Sequence, residues 1–209
     1  MSAVKEYWDT IGKSSNLNWE IAHISEEDAF IASGMGTAKR LFNSALSVIP
    51  DRGKILEIGC GRGRILKYLS DQKPDAEFTG VDVSKEMIDR AYILPNVKYI
   101  VGNGADLRPF KNEYFDVVFS YIVFQHLPRR FTDAYVKEAA RILKKGGLFV
   151  FQMQTTTDKQ KLDPPDDDFR KIRYYTIPQI YFLVEPMFRI AETDGTTNCE
   201  NFITMAIKE

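Results

Sequence analysis

Five short apolar runs, each followed by a stretch long enough for a helix, limit this chain's folding more than any other feature. They span 54–59, 77–83, 96–101, 115–124 and 147–153. Several are apolar on both alternating faces, the pattern of strands covered by helices on both sides of a parallel sheet. Between the last two, the stretch 130–144 repeats Val136, Ala140 and Leu143 on one helical face. This alternation on short connectors predicts an α/β fold with a doubly wound, mostly parallel sheet. The handedness of crossovers leaves few ways to wind it.

The flanks follow another rhythm. Residues 1–35 are aromatic and polar, with short helices expected near 3–11 and 25–33. A helical period from about 37 to 49 puts Leu41, Ala45 and Ile49 in one row, and Pro50 marks its stop. Residues 154–175 include the run DPPDDD and read as an exposed loop. A helix at about 177–185 leads to two final runs, FRIAETDG and NFITMAIKE, with Gly195 and Asn198 between them. That spacing predicts an antiparallel strand pair at the sheet edge. No repeat or linker divides the chain, so 1–209 is expected to be one domain. Its parts are a helical leader over 1–35, a core over 36–153, and a loop, helix and strand pair over 154–209.

The charge balance removes whole classes of function. With 28 basic and 29 acidic side chains the net charge is −1, without the basic excess that nucleic-acid or anionic-membrane binding demands. Two cysteines, Cys60 and Cys199, cannot by themselves form a disulfide framework or a zinc site, and no metal is expected. No apolar run approaches the ~18 residues of a membrane span, and MSAVKEYWDT lacks the apolar centre of a signal peptide. The expectation is a cytoplasmic protein.

Chemistry enters at Glu57-Ile58-Gly59-Cys60-Gly61-Arg62-Gly63, where the first strand turns into a helix. Glycines there remove Cβ atoms, so a ligand can touch backbone at the carboxyl edge of the sheet. The N–H groups of the next helix favour an anionic group. Taken alone, the turn is also compatible with a tight strand–helix connection that binds nothing. Asp82 changes that reading. It ends the second strand, 19 residues beyond Gly63, where an acidic side chain accepts hydrogen bonds from both ribose hydroxyls of an adenosine ligand. Ser84 is better placed than Asp82 to cap the following helix. A dinucleotide fingerprint would need glycine at position 64, and Arg64 stands there.

The pattern Glu-x-Gly-x-Gly-x-Gly with Asp82 downstream resembles the class I S-adenosylmethionine-dependent methyltransferases of Rossmann-like fold. The likeness continues in Val101-Gly102-Asn103-Gly104-Ala105-Asp106-Leu107, in Phe115-Asp116-Val117-Val118-Phe119-Ser120 and in Leu143-Lys144-Lys145-Gly146-Gly147, and covers residues 54–152. Outside that core stand Tyr7-Trp8-Asp9, Trp19, Phe30-Ile31-Ala32-Ser33-Gly34, Phe124-Gln125-His126-Leu127-Pro128 and Phe151-Gln152. Together these are similar to a branch of bacterial and archaeal small-molecule methyltransferases of the "methyltransferase domain" type. The resemblance implies a seven-stranded sheet ending in an antiparallel pair.

It also implies roles. Backbone around Gly59, Cys60 and Gly61 would line the methionine part of S-adenosylmethionine. Glu57 would act through hydrogen bonds to that region or to the loop. Asp82 would hold the ribose, while Val83 and Met87 pack on adenine, Met87 being equally well explained as core filler. Asn103 stands where the family commonly has Asp, and its amide can still read an adenine edge, with the N–H groups of Gly104 and Ala105 beside it. Ser120 and Tyr121 would approach the methionine end and the transferring methyl. Arg62 and Arg64 are expected to be solvated or salt-bridged.

Methyl transfer from a sulfonium is an in-line displacement with a good leaving group, so alignment is the protein's main contribution. Where the acceptor must lose a proton, a base adds ~10²–10⁴-fold. His126, after the fourth strand, is the candidate base or else a structural histidine, and Gln125 sits beside it as a further acceptor contact. Tyr7, Trp8 and Trp19 either fold over the cleft as an aromatic lid, shielding a sulfonium from water, or anchor the N-terminal helices. Asp166, Asp167 and Asp168 read as a solvated loop.

The expected activity is methyl transfer to an O or N atom of a small-molecule acceptor, releasing S-adenosylhomocysteine. The protein would be a monomer or homodimer with no nucleic-acid or membrane partner. Two alternatives stay open: a binding module that keeps the cofactor without turnover, and a nicotinamide-dependent oxidoreductase. Arg64 and the terminal strand pair speak against the second.

Overall fold

The structure, a computed structural model, describes residues 2–42, 46–158, 161, 171–196 and 198–209. They belong to two units, 1–104 and 105–209. The first opens with three helices, α1 (Ser2–Gly12), α2 (Leu17–Ala22) and α3 (Glu27–Leu41). Strand–helix alternation follows: β1 (Lys54–Ile58), α4 (Arg64–Gln72), β2 (Glu77–Asp82), α5 (Lys85–Asp89) and β3 (Val97–Val101). The three strands are parallel in the order β3-β2-β1, with Ile55 beside Phe78 and Gly80 beside Tyr99. Ile55, Leu56, Phe78, Leu66 and Leu69 are all fully buried, as strands and an amphipathic helix packed face to face require.

Two helices were expected near 25–33 and 37–49, and one runs through both. Phe30, Gly34, Ala38 and Leu41 form a single buried stripe on α3. Of the second segment, residues 43–45 lie outside the described residues, and Leu46–Val48 form a short 3₁₀ turn. Gly34 is in mid-helix because α3 crosses α4 there: a Cβ at that position would lie 2.1 Å from the Arg64 carbonyl oxygen. This sets up a counter-intuitive result. Helix propensity favours alanine over glycine by ~1 kcal/mol, yet Gly34→Ala is expected to destabilise by ~1–3 kcal/mol through overpacking against backbone that cannot step aside. A fall in the urea midpoint checks it. A raised midpoint would show that α3 and α4 separate without cost.

The second unit contains β4 (Phe115–Ser120), α6 (Arg129–Ile142), β5 (Leu143–Thr155), β6 (Tyr174–Tyr175), α7 (Ile177–Val184), β7 (Phe188–Asp194) and β8 (Phe202–Lys208). β4 and β5 are parallel, β6 adds two residues parallel to β5, and β8 lies antiparallel between β5 and β7. The terminal antiparallel pair is therefore as expected, and β6 brings the described strands to eight rather than seven. Phe124, Phe149, Phe151 and Phe188 pack ring against ring at 4.8–6.4 Å between centroids. α7 starts on a reciprocal cap: Thr176 Oγ1 accepts from Gln179 N, and Gln179 Oε1 accepts from Thr176 N.

The fourth strand stops at Ser120 instead of running to Phe124. Ile122 has φ +53°, and Phe124–His126 form a 3₁₀ turn. A β-branched residue in the left-handed region costs ~1–2 kcal/mol, and apolar sequence alone gives no sign of it. The expected acidic loop with Asp166, Asp167 and Asp168 lies outside the described residues. Among the described residues no helix is long and apolar enough to cross a membrane. The same residues hold no group of three or more candidate metal ligands.

Candidate active site

At the carboxyl end of β1 the chain turns through three left-handed glycines, Gly59 (φ +70°), Gly61 (φ +53°) and Gly63 (φ +78°). The N–H groups of Gly59 and Cys60 both donate to the Val81 carbonyl, at 2.7 and 3.1 Å, which hooks the turn onto β2. A Cβ on Gly63 would lie 2.2 Å from the Tyr99 hydroxyl, so this glycine is needed for packing beneath the turn. Gly61 differs. A Cβ there would meet only Ile21 Cδ1, at 3.9 Å, and the glycine leaves backbone open to an approaching ligand.

Asp82 closes this arrangement from the end of β2. One carboxylate oxygen accepts from Gly61 N at 2.8 Å and the other from Ser84 N at 2.9 Å. Each oxygen keeps a further lone pair for a hydroxyl donor. Burial pushes Asp82 above the usual carboxylate range, against the pull of those backbone N–H groups. Glu57 lies deeper, 3% exposed, with Oε2 buried and without a hydrogen-bond partner among the described residues. Burial drives its pKa well up; Arg64 opposes this and Asp82 adds to it. Burial likewise raises the Cys60 thiol.

Ser84 is the cap of α5, as expected, accepting from Met87 N at 3.3 Å. Met87 is buried at 2% exposure and Val83 is half-buried. Beyond β3, the Gly102 N–H donates to the Asp82 carbonyl at 2.7 Å, which brings the Asn103–Gly104 loop to the same strand edge. Gly104 is left-handed at φ +75°, and Ala105 opens the second unit.

The leader reaches this edge too. Ser84 Oγ donates to Asp9 Oδ1 of α1 at 2.8 Å, and Arg90 donates to the carbonyls of Gly12 and Ser14 at 2.7 and 2.9 Å. Burial acts to raise Asp9, but hydrogen bonds from Lys5 and Ser84 leave it below the usual range. Tyr7 and Trp8 meet edge to face at 5.1 Å and are partly buried. Trp19 is 51% exposed and stacks edge-on to His23 at 5.2 Å. Asp9 stands in the Tyr7-Trp8-Asp9 run but had no role in the sequence, because its partner lies 75 residues away.

Arg62 is salt-bridged, to Glu27. Arg64 is not solvated: it is 7% exposed and donates to Thr37 Oγ1 at 2.9 Å and Ser33 Oγ at 3.3 Å.

In the second unit, Ser120, Tyr121, Gln125 and His126 gather at the carboxyl end of β4. Tyr121 Oη donates to Asn201 Oδ1 at 2.9 Å, and Ser120 is 1% exposed. Gln125 Oε1 accepts from both Gln152 Nε2 and Gln154 Nε2 at 3.2 Å, which fixes its amide. Its Nε2 then faces His126 Nε2 at 3.2 Å, a contact in which the fixed amide donates and the ring nitrogen accepts. Gln152 Oε1 accepts from the N–H of Ile122 at 3.1 Å and holds the left-handed residue in place. Gln152 and Gln154 went unassigned in the sequence. The available signal was two amides at alternate positions directly after the apolar run Leu148–Phe151.

Known proteins resemble this chain in both sequence and fold. Residues 56–151 match the family model of a methyltransferase domain. A fatty-acid O-methyltransferase of Mycolicibacterium smegmatis is 31% identical over 131 residues, 61% of this chain and 45% of that protein. A trans-aconitate 2-methyltransferase of Rhodopseudomonas palustris is 33% identical over 108 residues, 51% of this chain and 41% of that protein. The chain thus spans about half the length of these relatives or less. Magnesium protoporphyrin IX methyltransferase from Synechocystis PCC 6803, solved with bound S-adenosylhomocysteine, has the same fold at a TM-score of 0.72 and 17% identity, over 100% of this chain and 99% of that one. The glycine turn heading the first unit, the match over residues 56–151 and the shared fold together make this chain similar to the Rossmann-like, S-adenosylmethionine-dependent methyltransferases.

Proposed function

We propose that the protein transfers the methyl group of S-adenosylmethionine to an oxygen or nitrogen atom of a small-molecule acceptor. The observation that carries this reading is Asp82, whose two oxygens are aimed by the N–H groups of Gly61 and Ser84 and still have lone pairs to offer. The residues fit the cofactor. The open backbone at Gly61 suits the methionine portion, Asp82 the ribose, and Val83, Met87 and Asn103–Gly104 the adenine, with Glu57 buried at the strand end that leads into the turn. The bound cofactor supplies a methyl group on a sulfonium. His126, held by Gln125, would contact the acceptor and take a proton at Nε2 once the hydrogen bond from the Gln125 amide is released. Tyr7 and Trp8 would exclude water. The named acceptors of the two relatives, a fatty acid and trans-aconitate, are small molecules and support this choice of class.

The test is methyl transfer from labelled S-adenosylmethionine to a panel of carboxylic acids, phenols and amines, beside thermal shifts with S-adenosylhomocysteine and NAD. A raised melting temperature with S-adenosylhomocysteine but not NAD, and a labelled ester, ether or amine, is the expected result. Tight binding with no transfer to any panel member would leave a binding module instead.

A further inference from the structure

We propose that Arg62 and Glu27 are positioning residues for the cofactor: they form a clasp through which the N-terminal helices hold the glycine turn in its binding shape. The inference rests on the reading of that turn as the cofactor seat. Arg62 stands within the turn, between Gly61 and Gly63, where left-handed glycines leave the backbone little rigidity of its own. Its side chain points back to the helices. Nη1 donates to Glu27 Oε2 and Nη2 to Glu27 Oε1, both at 3.0 Å, in a bidentate pair with α3. Nη1 also donates to Asn18 Oδ1 of α2 at 2.5 Å, and Nε to the Arg90 carbonyl at 3.1 Å. The guanidinium stacks against Phe30 and Tyr92, 5.6 and 5.1 Å from the ring centroids.

Glu27 is held as firmly. It accepts from Asn18 Nδ2 at 2.7 Å and from the Tyr92 hydroxyl at 2.5 Å. Arg62 and Tyr92 together hold its carboxyl down to about 2, so the clasp stays charged across the whole working pH range. A lone surface ion pair contributes little. This one is forked, stacked and cross-braced, with the Arg62 side chain 15% exposed. Geometry of this kind needs arginine, since a lysine ammonium offers charge without the planar fork. Ile21 of α2 is the one described residue a Cβ at Gly61 would approach, at 3.9 Å, so the clasped helix borders the open side of the turn. Freeing the turn would add disorder that cofactor binding must then remove, and affinity would fall although no cofactor contact is lost.

The experiment is a double-mutant cycle on the full chain, Arg62→Ala, Glu27→Ala and the pair, with Arg62→Lys and Glu27→Gln as milder variants. S-adenosylhomocysteine binding is measured by calorimetry well below every melting temperature, and hydrogen exchange is followed at the amides of 59–63. Each single change is expected to weaken binding about tenfold and speed exchange in the turn. The double variant should be no weaker than the worse single, because both remove one device. Asp51→Asn, which breaks a surface pair with Lys73 in the same unit, should leave affinity unchanged. Asp82→Ala is the reference. If it weakens binding while the Arg62 and Glu27 variants melt earlier yet bind as the parent does, the clasp is merely structural and the proposal is overturned. If Asp82→Ala also binds normally, the cofactor seat lies elsewhere and the proposal fails with that reading.

Discussion

Asp82→Ala is expected to weaken S-adenosylhomocysteine binding by roughly ten- to a hundredfold while the domain stays folded. Hydrogen bonds to a charged group contribute ~1.5–3 kcal/mol, and each ~1.4 kcal/mol is a decade in affinity. The structure adds a second reason for a loss of this size. Asp82 also accepts the Gly61 and Ser84 N–H groups, so its removal releases the open side of the turn and the start of α5 together. Asp82→Asn should be little better. Its amide must present N–H₂ to one of two backbone N–H donors, and donor against donor is repulsive. Calorimetry on folded variants checks both. Unchanged affinity in Asp82→Ala would place the ribose somewhere else.

The cofactor half of this reading was legible because its signals are local. Glycines at alternate positions and an acid at a strand end sit within 26 residues, 57 to 82, and backbone sterics give each a reason to be there. Strands were legible as apolar runs for the same reason. What sequence could not show depends on partners far along the chain. The helix expected near 25–33 stops short of Gly34, and only the Arg64 carbonyl against it gives that glycine a reason to sit in mid-helix. Arg62 is ambiguous until α3 brings Glu27 across 35 residues. The run through Phe124 looks like continuous strand, because nothing apolar announces that Ile122 turns left-handed under the hold of Gln152. The buried amides of the second unit suffer most, since Gln125, Gln152 and Gln154 gain meaning only as a connected network.

Glu57→Gln is expected to make the apoprotein more stable at pH 8, by on the order of 1–3 kcal/mol, and to weaken cofactor binding at the same time. Glu57 is 3% exposed with Oε2 unsatisfied among the described residues, and leaving a charged group so placed costs at least the desolvation of an unpaired polar atom. Its folded pKa is raised well above the ordinary 4.5, with burial as the main cause. The folded state therefore holds this proton more tightly than the unfolded chain. Its contribution to stability is fully present below pH 4.5 and declines as pH rises through the folded value, by at most ~1.4 kcal/mol per pH unit. Glutamine has no proton to lose and removes that slope, while the smaller slope of the same sign from Asp82 remains. Urea midpoints should thus coincide near pH 4 and separate progressively towards pH 8, with the variant higher. If the two proteins track each other across that range, Glu57 is either not ionising or not buried as the fold places it. Opposite signs for stability and affinity would identify Glu57 as a carboxylate retained for binding at a cost to the fold.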